Sequence, residues 1–318
     1  MVVTMPLTFS FFVSAMLAPI VRLVSNRGVF QNHPRIAKAL GVALAMLAYL
    51  AVTAAFLGVF FMIGDSMMER LSQNSDKLKS LADNAQQWLR EQGISTKNQS
   101  FSISSWADRA TSTIKTVIQS ITALIGFLII VFFFTALMLI EENQWRRKLV
   151  VLAGEKGERL NESVGPGVRR YLKIRTFVSA ISAVSAGLWL MVTGIEDAWI
   201  WAAVIFVLNY IPSIGSILAA IPPTLMAVSQ SGIGWALVVA LGLFLIEQFV
   251  GNFLDPMLQG HGNSISPVAM LLFVLLWGWI WGIGGLFIAV PICVVVFRVC
   301  SEFQVTRPFY IALQDDPA

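Results

Sequence analysis

The sequence is short of charge. Lys, Arg, Asp and Glu make up 13% of its 318 residues, about half of the roughly 25% found in soluble domains. With 57% hydrophobic residues and a mean hydropathy of +0.74, too little polar surface remains to coat a water-soluble globule. That excludes a soluble enzyme, a disordered chain and a nucleic-acid binder. Cysteine is nearly absent too. Cys293 and Cys300 lie seven residues apart on one face of the last apolar stretch, a spacing that forbids a bond between them, so there is no disulfide framework. The two histidines, His33 and His261, are isolated and give no metal cluster. HExxH, GxSxG, Walker A and post-strand GxGxxG motifs are all missing, so neither catalysis nor ATP-driven transport by this chain is expected, and no cofactor.

What the chain has in quantity is long apolar runs. Runs of 18 or more residues point to membrane helices rather than a barrel, so the expected fold is an all-α membrane protein, a polytopic helical bundle. Residues 1–64 hold two spans, 2–24 and 37–64. Between them Arg22, Arg27, Arg35 and Lys38 stand without an acid, which makes that loop cytoplasmic by the positive-inside rule and puts the N-terminus outside. Residues 65–116 carry seven basic and six acidic side chains, and Leu71, Leu78, Leu81, Ala85 and Trp88 recur at helical spacing. This reads as an extracytoplasmic amphipathic segment, its stripe packing on the chain's own helices or between subunits. Residues 117–140 are the third span. Residues 141–175, with nine basic residues against five acids, read as a basic cytoplasmic linker. Residues 176–300 form a core that begins with a fourth span at 176–195, and 301–318 a cytoplasmic tail.

Simple counting fails inside the core. Residues 198–230 are apolar but interrupted around Asn209, Pro212, Ser213 and Gly215, and again at Pro222 and Pro223; residues 265–300 are interrupted at Gly282, Gly284, Gly285 and Pro291. Proline removes a helical hydrogen bond and glycine loosens the backbone, so each stretch is expected to be a broken hairpin. The nine residues from Ile214 to Pro222 align without gaps on Ile283 to Pro291, pairing Gly215 with Gly284. One hairpin would open outward and the other inward, the inverted-topology plan of secondary transporters. Pro212, Gly215, Pro222, Gly284, Gly285 and Pro291 would shape the hairpins.

Glu247 and Asp255 are the only acids between Asp197 and Glu302. A charge deep in the bilayer costs on the order of 2.5–3.5 kcal/mol even on the lenient insertion scale, and such a cost usually marks a pathway or ion site. Gln248, Asn252 and Asp255 fall on one helix face at i, i+4 and i+7, with Glu247 about 100° round. With Asn209 and Ser213 from the first hairpin, these are the candidate substrate or ion pathway residues.

The same residues carry a family resemblance. Asn209-Tyr210-Ile211-Pro212-Ser213-Ile214-Gly215-Ser216 with Ile221-Pro222-Pro223, and Asn252-Phe253-Leu254-Asp255-Pro256-Met257-Leu258-Gln259-Gly260 with Ile265-Ser266-Pro267 and Trp277-Gly278-Trp279 through Ala289-Val290-Pro291, resemble signatures of the autoinducer-2 exporter family. The resemblance covers residues 117 to 300 well. It implies a multi-pass transporter of the inner membrane of bacteria or archaea, either an exporter of a small quorum-signal-like molecule or a sodium/proton or other cation/proton antiporter. It also implies a further hydrophobic span ahead of residues 2–24: either this member lacks it or the sequence is truncated. The expected partners are a small-molecule or ion substrate, the lipid bilayer and, as a homo-oligomer, further copies of the chain; the reading from another class is an oligomeric passive pore or scaffold.

Overall fold

The computed structural model describes residues 3–26, 33–59, 61–62, 121–211, 214–259 and 265–314. The segment 65–116 with its apolar stripe, Pro212, Ser213 and the last four residues lie outside the described residues. Among the described residues there is helix throughout and no strand, only an isolated bridge between Ile265 and Gln314. In chain order the helices are α1 (Thr4–Ser25), α2 (Pro34–Val59), α3 (Ile121–Ala153), α4 (Glu155–Val192), α5 (Ala198–Leu208), α6 (Ile214–Ser231) and α7 (Ile233–Phe249). A π turn, Val250–Leu254, joins α7 to α8 (Asp255–Gln259), and α9 (Pro267–Glu302) and α10 (Arg307–Ala312) follow.

Six of these helices are long and apolar enough to cross a membrane: α1 to α4, α7 with its extension, and α9. At 22 residues, α1 is about 33 Å long, close to the roughly 30 Å hydrocarbon thickness. The expected all-α polytopic membrane protein is the fold found. The basic stretch 141–175 is helical: it forms the end of α3 and the first half of α4, which meet at Gly154.

α4 is the axis of the bundle. It packs against α1, α3, α5, α7 and α9. Lipid tails are as apolar as leucine, so helices in a membrane associate through close packing at small residues rather than through hydrophobic burial. The core shows this: Ala183 and Ala186 of α4, Ala219 and Ala227 of α6 and Ala236 of α7 are buried together with Leu190, Trp201, Val239 and Leu243. A second cluster joins α1, α2 and α3 through Ala18, Val21, Val42, Ala45, Val131 and Leu139. Trp277 and Trp281 lie with ring centroids 4.5 Å apart and planes tilted by 38° and pack beside Phe12 and Ile292, while Trp279 points outward at 85% exposure.

Both broken hairpins are present. The first is α5, the turn after Leu208 and α6. The second lies inside α9, where Gly282 has φ 61° and ψ −142° and interrupts the helix; positive φ is strained for any residue with a Cβ. The two turns share one device. A Cβ on Gly215 would overlap the Leu208 carbonyl, and a Cβ on Gly285 would overlap the Trp277 carbonyl. Leu208 and Trp277 keep the 69-residue offset of the gapless alignment, but the close-approach glycine is Gly285 rather than Gly284, so the second turn takes one more residue. Gly284 instead faces the Met5 side chain. Pro222 lies within α6 and Pro291 within the second half of α9, some way past the breaks they were expected to shape.

The hairpins reach α4 from opposite ends. The open end of the first lies at the C-terminal end of α4: Ile195 and Ala198 pack with Leu190, and Trp235 Nε1 at the start of α7 donates to the Thr193 carbonyl at 2.9 Å. The open end of the second lies at the N-terminal end of α4, where Arg159 pairs with Glu302 at 3.2 Å. Ile214, at the first turn, packs against the cluster of Val274, Ala289 and Val290 in the second hairpin.

Candidate functional site

α4 turns one polar face toward α7. Arg175, Ser179 and Ser182 follow at i, i+4 and i+7, so they stack along one side of the helix. All three are buried. Ser182 donates a hydrogen bond to Glu247 Oε1. Arg175 Nη1 donates to Asp255 Oδ2 at 3.2 Å, an ion pair whose side chains are 10% and 17% exposed. The acids of α7 and α8 thus meet two side chains of α4.

The π turn makes this possible. On a straight α-helix, positions eight apart are rotated about 80° from each other. An i→i+5 turn inserts one extra residue, so the eight residues from Glu247 to Asp255 behave as the seven of two full turns. Both acids then face α4. The straight-helix expectation that Gln248, Asn252 and Asp255 share a face does not survive the insertion. Gln248 and Asn252 are exposed, and Asn252 Nδ2 donates to Gln248 Oε1 at 2.7 Å; they pair with each other rather than with the seam.

The tip of the first hairpin completes the arrangement. α5 has 11 residues, about 16 Å, half of the bilayer core. Its last carbonyls have no helical partner, and at membrane depth such groups need a donor from the protein. Asn209, the C-cap residue, is buried, and its carbonyl accepts from Arg175 Nη2. A guanidinium at a helix C-terminus also complements the negative end of the dipole. Next to it, Thr176 Oγ1 and the Tyr210 hydroxyl share a hydrogen bond of 2.7 Å. Arg175 Nε and Ser179 Oγ are buried with no hydrogen-bond partner among the described protein atoms.

Of the sequence-predicted pathway residues, the structure brings Asn209, Glu247 and Asp255 to α4, leaves Gln248 and Asn252 exposed, and Ser213 lies outside the described residues. Arg175, Ser179 and Ser182 were missed. Arg175 was counted among the nine basic residues of 141–175 as a topology signal. It is the last of them, directly before the apolar run of α4, and a buried carboxylate such as Asp255 calls for a cation within reach; that demand was the available clue. Among the described residues no group of His, Cys, Asp and Glu has the makings of a metal site.

Comparison with known proteins follows the same lines. The family model described as AI-2E family transporter matches residues 2–304. The AI-2 transport protein TqsA of Escherichia coli is 34% identical over 148 residues, 46% of this chain and 43% of that protein. A putative transport protein of Haemophilus influenzae is 34% identical over 161 residues, 51% of this chain and 46% of that protein. A putative transport protein of Mycobacterium tuberculosis is 24% identical over 306 residues, 91% of this chain and 80% of that protein. The chain spans under half the length of the first two relatives.

Proposed function

The chain belongs to the AI-2E family of transporters, and from that premise we propose that it is a secondary exporter of a small, quorum-signal-like molecule that works by alternating access. It is a multi-pass membrane transporter; the cargo, the direction and the mechanism are the proposal. One observation carries it: two broken hairpins pack on α4 from opposite ends, and the tip of the first meets the polar face of that helix. Non-helical backbone at membrane depth is tolerated where it is buried in protein or lines a cavity, and discontinuous helices around a midplane site are the plan of secondary transporters. Each hairpin would close the site from its own side. The E. coli relative named for AI-2 transport supports starting a cargo screen with small hydroxylated signals.

A cation/proton antiporter is the second reading, and Glu247 favours it. This carboxylate is half-buried in the seam with Ser182 as its hydrogen-bond donor, and a carboxylate at such depth is suited to exchange a proton for a cation. The protein works without enzymatic chemistry in either reading. We place it in the inner membrane, with residues 141–175 and the C-terminus cytoplasmic and residues 65–116 extracytoplasmic, as a homo-oligomer.

Flux into proteoliposomes of purified protein tests these readings. Solute movement against its gradient, driven by an imposed proton or sodium gradient, is the exporter result. Sodium-driven proton movement without solute is the antiporter result. Solute movement only down its own gradient, unaffected by either ion, would overturn both in favour of a passive pore.

A further inference from the structure

We infer that Arg175 is the latch of the first hairpin: a positioning residue that holds the turn at Asn209 against α4 while it is paired with Asp255, so that parting this pair is the step that frees the tip and opens the seam at Ser179. The latch rests on the transporter reading for its purpose, though not for its geometry.

Three separate elements meet on one guanidinium. Arg175 belongs to α4, Asp255 to the extension beyond the π turn, and Asn209 to the end of α5. Remove the guanidinium and the Asn209 carbonyl loses the donor that this side chain supplies at the end of a half-length helix, while Asp255 loses the ion pair with Arg175. Remove the charge on Asp255 and the guanidinium loses its ion-pair partner in a buried setting. Each contact therefore depends on the other, and the group holds or releases as a unit.

Net stability is a poor account of such a pair. A buried ion pair does no better than apolar side chains of the same volume, yet losing one partner is costly. That asymmetry suits an element with two discrete arrangements, closed with all partners in place or open with none, which is what a gate requires. The same turn is also tied to α4 by the Thr176–Tyr210 hydrogen bond, between neutral groups whose bond contributes little net against water.

The seam behind the latch is already equipped for a polar visitor. Ser179 Oγ, one turn from Arg175, is buried without a partner among the described protein atoms, as is Arg175 Nε. Elsewhere on this helix Thr176 and Thr193 turn their hydroxyls back onto the carbonyl four residues earlier; Ser179 makes no such bond. Both groups offer a proton to an oxygen of a solute or of water that enters when the tip lifts.

Thiol accessibility in the full-length protein, reconstituted in nanodiscs, reads the latch directly. In a background lacking Cys293 and Cys300, Ser179→Cys reports on the seam, and Ala186→Cys, on the same helix and 1% exposed, reports on the packed core. The probe is a small water-soluble methanethiosulfonate. With the latch intact both react slowly. Asp255→Asn and Arg175→Gln should each speed reaction at position 179 by roughly tenfold or more, within the range of ordinary conformational couplings, with position 186 unchanged. The double variant should be no faster than the faster single one, because both break one unit. Should Arg175→Gln fail to fold, Asp255→Asn carries the test alone. No acceleration at 179, equal acceleration at 186, or effects that multiply in the double variant would each overturn the latch. Labelling needs no cargo, so its outcome stands apart from the flux measurements: a proteoliposome without transport leaves the latch standing and removes its purpose.

Discussion

Glu247 and Asp255, eight residues apart in the chain, face the same neighbour: one accepts from Ser182 and the other pairs with Arg175. The extra residue of the π turn supplies the alignment. Deleting Gly251, an exposed residue within that turn, restores α-helical spacing and rotates Asp255 away from α4 by about 100°. Its thermal unfolding temperature in detergent should fall as far as that of Asp255→Asn. An unchanged unfolding temperature would show that the ion pair forms without the π turn.

Breaking the pair from one side should be worse than removing it. Arg175→Leu takes the guanidinium away from the Asp255 carboxylate and should cost about 3–5 kcal/mol, whereas Arg175→Leu combined with Asp255→Leu should recover most of that loss. Unfolding midpoints of the purified variants decide. Equal destabilisation by the single and double variants would show that Asp255 does not depend on Arg175.

Glu247→Gln keeps the shape of the side chain and its bond from Ser182 while removing the charge. Expression should persist and pH-dependent transport should be lost. Transport rates in proteoliposomes at several pH values measure this. If the rate and its pH profile stay those of the parent, Glu247 has no part in coupling and the antiporter reading goes with it.

The hairpin turns predict an ordering among glycines. Gly215→Ala and Gly285→Ala force a methyl group into a backbone carbonyl, and overpacking of that kind costs about 1–3 kcal/mol. Gly284→Ala meets the flexible end of Met5 and should be tolerated with less than half that loss. Thermal unfolding of the three variants tests the order. A Gly284→Ala protein as damaged as Gly285→Ala would return the repeat to its gapless register.

Sidedness has its own test. Lys156→Cys, in the same cysteine-free background, should resist an impermeant thiol reagent applied to intact cells and react once the membrane is opened. Reaction in intact cells would reverse the assignment of residues 141–175.

The bundle was legible in the sequence because its signals are long. A run of twenty apolar residues is hard to misread, and the breaks near Asn209 and Gly282 show themselves as glycine and proline inside such runs. The seam was legible only from one side. Glu247 and Asp255 stand out as acids in an apolar setting, but Arg175 is the last of a basic series and looks like its neighbours. No local pattern marks a π turn, since Val250–Leu254 is ordinary apolar sequence around Gly251 and Asn252, and one inserted residue moves every later side chain by about 100°. The Gly284–Gly285 pair hid the second register for a similar reason: two adjacent glycines both satisfy an alignment, and only the approach to the Trp277 carbonyl separates them.

The position of α4 has a mechanical consequence. Its N-terminal half, with Arg159 and Val168, touches the second hairpin; its C-terminal half, with Ala183, Ala186 and Leu190, touches the first. The two hairpins arrive from opposite directions, so sliding this rod along its length advances it on one and withdraws it from the other. Under the proposed alternating access, a single shaft shared in this way would act as a shuttle bolt: what loosened one door would seat the other, and both standing open at once would be the arrangement it opposes.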